Sequence, residues 1–478
     1  MEFVDRVEEL GAMNKEYKDG NASLITIYGR RRLGKTELIK QFLDGKSGSI
    51  YYLATDDNSA MQLKSLSSLI GIRLGNEDLA RFGASDWESL FLRASELAGG
   101  KKLVIAIDEF PRLARADKSI PSIFQKGWEL YMKGSDIMLI LCGSSISMMK
   151  SEVLNRSSPL YQRSTAVENL MPLGVESAIK LSKGMEFAES VREYFIFGGV
   201  PAYYSFTEGS KSLRRVLERV FAPGSVFLDE VSVIISEEVK NTGVYIDIVG
   251  LIANGINRPS EIASKLGIPA SNAIRYMRPL VDIGLIERVV PVTKMEGRRS
   301  KSGFYIVKDN YALFWARYIK RNLGTLSLQG SNDVADMVMA ELAPFEGIMF
   351  ERFAMDFLAF LSRTNRFNIK FTKIGKWWGI DASRKSGDNQ EEIDVVAINE
   401  KTKDILFAEC KWTNAKVGAD LYIHLKRKAK LVQWHNDARK ERFALFSKAG
   451  FTKEMKVLAK REHVLLFGLK EIEDALKA

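Results

Sequence analysis

The chain is poor in the residues that many active sites and small stable scaffolds depend on. Cys142 and Cys410 are its only cysteines, each alone in an apolar run. Two isolated thiols argue against a disulfide framework or a zinc cluster and fit a reducing, cytoplasmic setting. His424, His435 and His463 are its only histidines, which argues against chemistry that needs several imidazoles. Carboxylates then become the natural metal ligands. No apolar run reaches the length of a bilayer span, and the N-terminus lacks a basic stretch followed by an apolar one, so neither a membrane segment nor a signal peptide is expected. Internal repeats and low-complexity tracts are also missing.

Length and charge are plentiful. A chain of 478 residues exceeds what one core holds and suggests about two to four domains. Its 46% hydrophobic and 27% charged residues are ordinary for a globular protein. There are 70 Lys plus Arg against 60 Asp plus Glu, a net charge of +10. That balance suits a nucleic-acid partner without demanding one.

The dominant motif is Gly29-Arg30-Arg31-Arg32-Leu33-Gly34-Lys35-Thr36. Ser23–Tyr28 before it is apolar and β-branched, as a buried strand is, and Glu37–Leu43 after it has a helical pattern. Strand, glycine turn and helix together identify a P-loop rather than a basic surface turn. Its backbone N–H groups surround phosphate oxygens, and the helix N-terminus faces the same charge. Lys35 reaches the β- and γ-phosphates of ATP, and Thr36 offers its hydroxyl to Mg²⁺.

Leu103–Ile107 is a continuous apolar run that ends in Asp108-Glu109. A buried parallel strand would deliver both carboxylates at its C-terminal edge. Asp108 is expected to serve the metal's coordination shell, and Glu109 to act as the base that orients attacking water. A third apolar run, Ile137–Cys142, leads to Ser144, a γ-phosphate sensor or a plain turn residue. Arg163 is open to two roles, phosphate sensing or a surface ion pair. These elements predict a doubly wound α/β nucleotide domain over residues 1–171 and a helical lid over 172–240.

Residues 241–325 run helix, helix, turn, helix and then hairpin, the order of a winged helix. Arg275 and Arg278 lie on the last helix, and Arg298 and Arg299 in the hairpin loop. The helix would enter a major groove of DNA while the loop meets backbone phosphates. Protein contacts alone are the competing use of such a unit.

Residues 335–478 form the last unit. It opens on a long amphipathic helix from Pro344 and carries two strands, Glu392–Ile398 and Asp404–Trp412, joined by a turn. Strand alternation puts Glu409 and Lys411 on one face, and a hairpin brings Asp394 beside them. Two carboxylates ligating a divalent cation, with an adjacent lysine, suit phosphodiester cleavage. An alternating-charge solvated strand would look similar, but Val395, Val396, Phe407 and Ala408 around these charges imply partial burial. Gln433, on the basic helix expected to carry Lys426, Arg427, Lys428 and Lys430, is a further groove-lining candidate.

With these residues in view, the chain resembles the archaeal-type P-loop ATPases of the STAND/AAA-like group over nearly its whole length. Phe3–Leu10 resembles that group's hydrophobic-Gly-Arg-x-x-Glu element beside the adenine, with Asp5 where glycine is usual. Gly199-Val200-Pro201 is similar to its Gly-x-Pro lid motif, which makes Pro201 a nucleotide-site candidate. The C-terminal part resembles PD-(D/E)-x-K nucleases, with Ile393-Asp394 in place of Pro-Asp. That likeness implies Asp394, Glu409 and Lys411 as a catalytic set and Glu346 as a helical glutamate. Two functions follow. One is an ATPase with a DNA-binding winged helix and a metal-dependent nuclease domain. The other is a nucleotide-controlled switch whose C-terminal domain binds partners, a second copy or another protein, without cleaving anything.

Overall fold

The computed structural model describes residues 3–294, 303–366, 370–385 and 389–477. Two units emerge: one runs to Pro172 and includes Val233–Lys240, and the other comprises Leu173–Ser232 and the chain from Asn241 onward.

The first unit is built on a parallel sheet of β1 (Ser23–Tyr28), β2 (Ser49–Leu53), β3 (Leu103–Asp108), β4 (Ile137–Gly143) and β5 (Ala166–Asn169), in the order β2-β3-β4-β1-β5. Every residue of β3 and β4 is buried, the pattern of parallel strands covered on both faces. The fold therefore has the expected α/β character. Its strand order adds what the runs alone do not reveal: β4 lies between β1 and β3. The turn after β4 thus stands between the glycine loop after β1 and the carboxylates after β3. The strand order reverses beside β1, where ligands of open α/β sheets bind.

The lid boundary differs from expectation. The helical pattern extends the lid to residue 240, yet Val233–Lys240 groups with the first unit. Side-chain contacts from Glu237 and Glu238 hold it there.

In the second unit, helices Thr242–Ala253, Pro259–Leu266 and Ala270–Asp282 precede an antiparallel pair, β6 (Ile286–Val289) and β7 (Phe304–Val307). Gly267, at φ 65°, ends the second helix in the left-handed region that glycine enters without steric cost. The stretch between the two expected units at 325 and 335 is helical: Lys320–Gln329 and Ser331–Glu341, separated at Gly330.

A mixed sheet completes this unit: β8 (Lys373–Ile380), β9 (Gln390–Asn399), β10 (Asp404–Lys411), β11 (Lys440–Ser447) and β12 (Leu465–Gly468), in the order β12-β11-β10-β9-β8. β9 and β10 form the expected hairpin, with Ala408 opposite Val395. Ile393, Val396, Phe407 and Leu445 are buried in its core. No described helix is long and apolar enough to cross a membrane.

Candidate functional site

The glycine loop is held open by backbone that only some residues tolerate. Gly29 has φ 151°, and a Cβ there would lie 2.6 Å from the Leu170 carbonyl oxygen, so a side chain is excluded by contact as well as by conformation. Gly34 (φ 89°) immediately precedes helix Lys35–Leu43. Lys35 is buried, and its Nζ donates to the carbonyls of Gly29 (2.7 Å) and Arg30 (3.1 Å). The ammonium is thus folded over the loop that its own chain encloses.

Three groups converge on buried Asp108. Thr36 Oγ1 donates to its Oδ2 at 2.6 Å, Tyr51 Oη to the same oxygen at 2.9 Å, and the Glu109 N–H to Oδ1 at 3.0 Å. Burial, and then the Asp108 charge, push the Tyr51 phenol well up, so it remains a donor. Tyr51 was not legible as a site residue because it gains this role only through the pairing of β2 with β3. Glu109 sits at φ 56°, a strained backbone for a side-chain-bearing residue. Its Oε2 accepts from Ser144 Oγ at 2.9 Å.

The N-terminal arginine element is also tied to the loop. Arg6 is buried and donates to the carbonyls of Leu33 (3.1 Å) and Met171 (2.8 Å) while pairing with Glu9. Asp5, where glycine is usual, has φ 68°. It therefore adopts the backbone that glycine commonly supplies, at the αL position aspartate tolerates better than most residues. Arg163 pairs with Glu129 at 3.0 Å and donates to the Tyr161 carbonyl, so it makes the ion pair of its two sequence alternatives. Pro201 opens helix Pro201–Phe206 in the second unit.

Arg275 and Arg278 are exposed on helix Ala270–Asp282 together with Ser271, Asn272 and Ile274. Arg298 and Arg299 lie outside the described residues.

A second group of carboxylates gathers on the C-terminal sheet. One ligand oxygen from each of Glu351, Glu392 and Asp394 lies within 4.8 Å of the others. Asp394 Oδ2 accepts from the Cys410 N–H at 2.9 Å, which fixes it across the hairpin. Glu409 is buried, and its Oε1 accepts from Lys428 Nζ at 2.8 Å. Lys376 pairs with both Glu351 and Glu392. Burial first, and the Asp394 charge second, push the carboxyls of Glu351 and Glu409 well above the ordinary range. Lys411 is exposed at the end of β10, near enough to draw Glu409 back down.

Two expectations change here. Glu346 does not join this cluster: it accepts from Arg192 Nε (2.6 Å) and Trp412 Nε1 (2.9 Å), a buried bridging role. Glu351 is the helical glutamate beside Asp394. Both lie on helix Ala343–Arg363, but five residues turn a helix by about 140°, so the two face different neighbours. Gln433 lies beyond helix Ala419–Ala429 and accepts from Asn436.

Sequence comparison places this geometry among known proteins. The family described as "ATPase domain predominantly from Archaea" matches residues 3–203, and that described as "Archaea bacterial proteins of unknown function" matches residues 315–423. An uncharacterised protein of Methanocaldococcus jannaschii is 34% identical over 444 residues, covering 90% of this chain and 92% of the relative. An uncharacterised ATP-binding protein of the same organism is 52% identical over 44 residues, 9% of this chain and 75% of that one. Among solved structures, a Walker-type ATPase of Pyrococcus abyssi superposes with a TM-score of 0.50 at 19% identity, covering 66% of this chain and 96% of that one. With its glycine loop and aspartate-glutamate strand end inside the matched ATPase domain, and a relative 34% identical over 90% of its length, the chain belongs to the archaeal-type P-loop ATPases.

Proposed function

We propose that Gly29–Thr36, Asp108, Glu109 and Ser144 form the ATP-hydrolysing site and that it works with Mg²⁺. The observation that carries this is the 2.6 Å contact of Thr36 Oγ1 with Asp108 Oδ2. Two oxygen ligands, one from the start of the helix after the glycine loop and one from the end of β3, already meet where a hard, oxygen-preferring cation fits. Bound there, Mg²⁺ would offset the charge of the β- and γ-phosphates. Lys35 holds the phosphate oxygens, Arg30, Arg31, Arg32 and Leu33 supply loop backbone around them, and Glu109 takes a proton from the attacking water. Arg163 and Pro201 remain candidates for contacts made only with nucleotide bound.

The second half of the proposal is a DNA-directed nuclease. Helices Thr242–Asp282 with β6 and β7 follow winged-helix order, and Arg275 and Arg278 are exposed on the last of those helices. Neutralising both arginines is expected to weaken duplex binding and to reduce the salt slope by about one to two counterions; an unchanged slope would remove this helix from the interface. Asp394, Glu409, Glu351 and Glu392 provide an all-oxygen donor set, as Mg²⁺ or Mn²⁺ requires. A divalent cation held there would lower the pKa of bound water, and Lys411 would stand beside the scissile phosphate. The rival reading, a nucleotide-controlled switch that binds protein partners or a second copy without cleaving nucleic acid, is favoured by the pairing of Lys376 and Lys428 with these carboxylates.

One experiment addresses both sites. ATP hydrolysis and cleavage of linear, branched and single-stranded DNA are measured on one preparation. Excess chelator is expected to bring both to background. Asp394→Ala is expected to remove cleavage only. Cleavage that survives Asp394→Ala would mean a contaminant or a different site, and no cleavage by the parent chain leaves the C-terminal unit to the switch.

A further inference from the structure

Two adjacent glutamates lie in a segment of the nucleotide unit that the sequence inserts between two stretches of the other unit. Val233–Lys240 belongs to the first unit, whereas Ser232 before it and Asn241 after it belong to the second. The Glu238 carboxylate is committed to the N-terminus of the short helix Ile146–Met149 that follows β4. It accepts from the Ile146 N–H at 2.7 Å and the Ser147 N–H at 2.9 Å, with Ser145 Oγ at 3.4 Å. Ser144, two residues before that helix, donates to Glu109. The neighbouring Glu237 pairs with Arg31 of the glycine loop at 2.9 Å, with both side chains about a third exposed. Lys35 and Glu109 both lie close enough to act on the Glu237 carboxyl.

We propose that Glu237 and Glu238 clasp the phosphate site from its two sides. Glu238 is a positioning residue that aims Glu109 through Ser144, and Glu237 holds Arg31 until a terminal phosphate replaces it. The inference rests on reading Gly29–Thr36 and Glu109 as the phosphate site.

The physical argument has two parts. A carboxylate that accepts from two consecutive backbone N–H groups makes charge-assisted bonds that fix the orientation of the helix start. Ser144 stands two residues before that helix, so fixing the helix start holds its hydroxyl, and with it the Glu109 carboxylate, in place. Loosening a reacting group by an ångström costs up to about 10²-fold in rate. Glu237 works in the opposite direction. It neutralises Arg31 when no phosphate is present, and a γ-phosphate carries more charge and more acceptor oxygens than one carboxylate. Once Arg31 turns to phosphate, the Glu237 carboxylate faces like charge. In sequence the clasp segment joins the second unit at both ends, at Ser232 and Asn241.

The two glutamates therefore have opposite kinetic signatures, which mere destabilisation of Val233–Lys240 does not produce. In steady-state ATPase assays on the full chain, Glu238→Ala is expected to lower kcat about tenfold with KM for ATP changed less than about twofold. Glu238→Gln, which keeps one acceptor oxygen and preserves folding should the alanine variant unfold, is expected to fall between it and the parent. Ser144→Ala is expected to lower kcat as well, and adding Glu238→Ala to it to cost little more, because the two act through one contact. Glu237→Ala is expected to lower KM several-fold by removing competition for Arg31. Losses that multiply in the double variant, a parental kcat in Glu238→Gln and Glu238→Ala, or a raised KM in Glu237→Ala each overturn the clasp. Lys35→Ala in the same assay separates the two levels: if it keeps turnover, the phosphate-site reading fails and the clasp with it; if it is inactive while the glutamate variants behave as the parent, the clasp alone fails.

Discussion

Lys35→Ala is expected to lower the affinity for ATP about a hundredfold or more, while the folded unit persists. Charge-assisted hydrogen bonds contribute about 1.5–3 kcal/mol each, so losing two contacts to phosphate oxygens amounts to at least ~3 kcal/mol, or about two decades in Kd. The structure gives reason to separate binding from folding. The Lys35 ammonium donates to the Gly29 and Arg30 carbonyls, groups of a loop at the end of β1, not of the sheet core. Truncation leaves those carbonyls to water, whereas β1, β3 and β4 keep their buried side chains. The loop would retain the left-handed backbone of Gly29 and Gly34. Titration calorimetry with a non-hydrolysed ATP analogue gives the affinity, and a thermal melt of the same sample shows whether the unit remains folded. Parental affinity in a folded variant would separate the glycine loop from nucleotide binding.

What was legible in the sequence was local, and what was hidden was long-range. Gly29–Thr36 carries its strand, turn and helix within some twenty residues, so pattern and context can be read together. Asp108-Glu109 was readable because an apolar run ends on it, and the β9–β10 hairpin because five turn residues separate two strand-like runs. None of these signals encodes strand order. The place of β4 between β1 and β3 decides that Ser144 meets Glu109, and the β2–β3 pairing decides that Tyr51 meets Asp108. Glu237 and Glu238 stand just beyond helix Glu230–Ser236 in a stretch whose sequence pattern is ordinary, and their partners Arg31 and Ile146 are remote in sequence. The Glu346 expectation missed for a different reason. The helix was recognised, but its rotation against the sheet was not, and that rotation selects Glu351 for the Asp394 cluster.

Glu109→Gln is expected to bind ATP as the parent chain does and to hydrolyse it about 10²–10⁴-fold more slowly, the range lost when a positioned general base is removed. The substitution preserves shape and removes basicity. Ser144 Oγ donates to Glu109 Oε2, and a glutamine oxygen accepts the same bond, so the side chain stays oriented. The Asp108 carboxylate keeps its three donors, from Thr36, Tyr51 and the backbone N–H of residue 109, because none depends on the replaced group. The φ of 56° at this position is as costly for glutamine as for glutamate, so strain does not enter the comparison. What changes is the capacity to take a proton from water at the Oε atoms. The loss therefore belongs in kcat rather than in nucleotide affinity. Single-turnover hydrolysis alongside analogue binding separates the two quantities. Glu109→Ala provides the contrast: it removes the Ser144 contact as well, and should lose at least as much rate. Near-parental turnover in Glu109→Gln would assign the base to another residue and leave the Glu109–Ser144 contact a purely structural one.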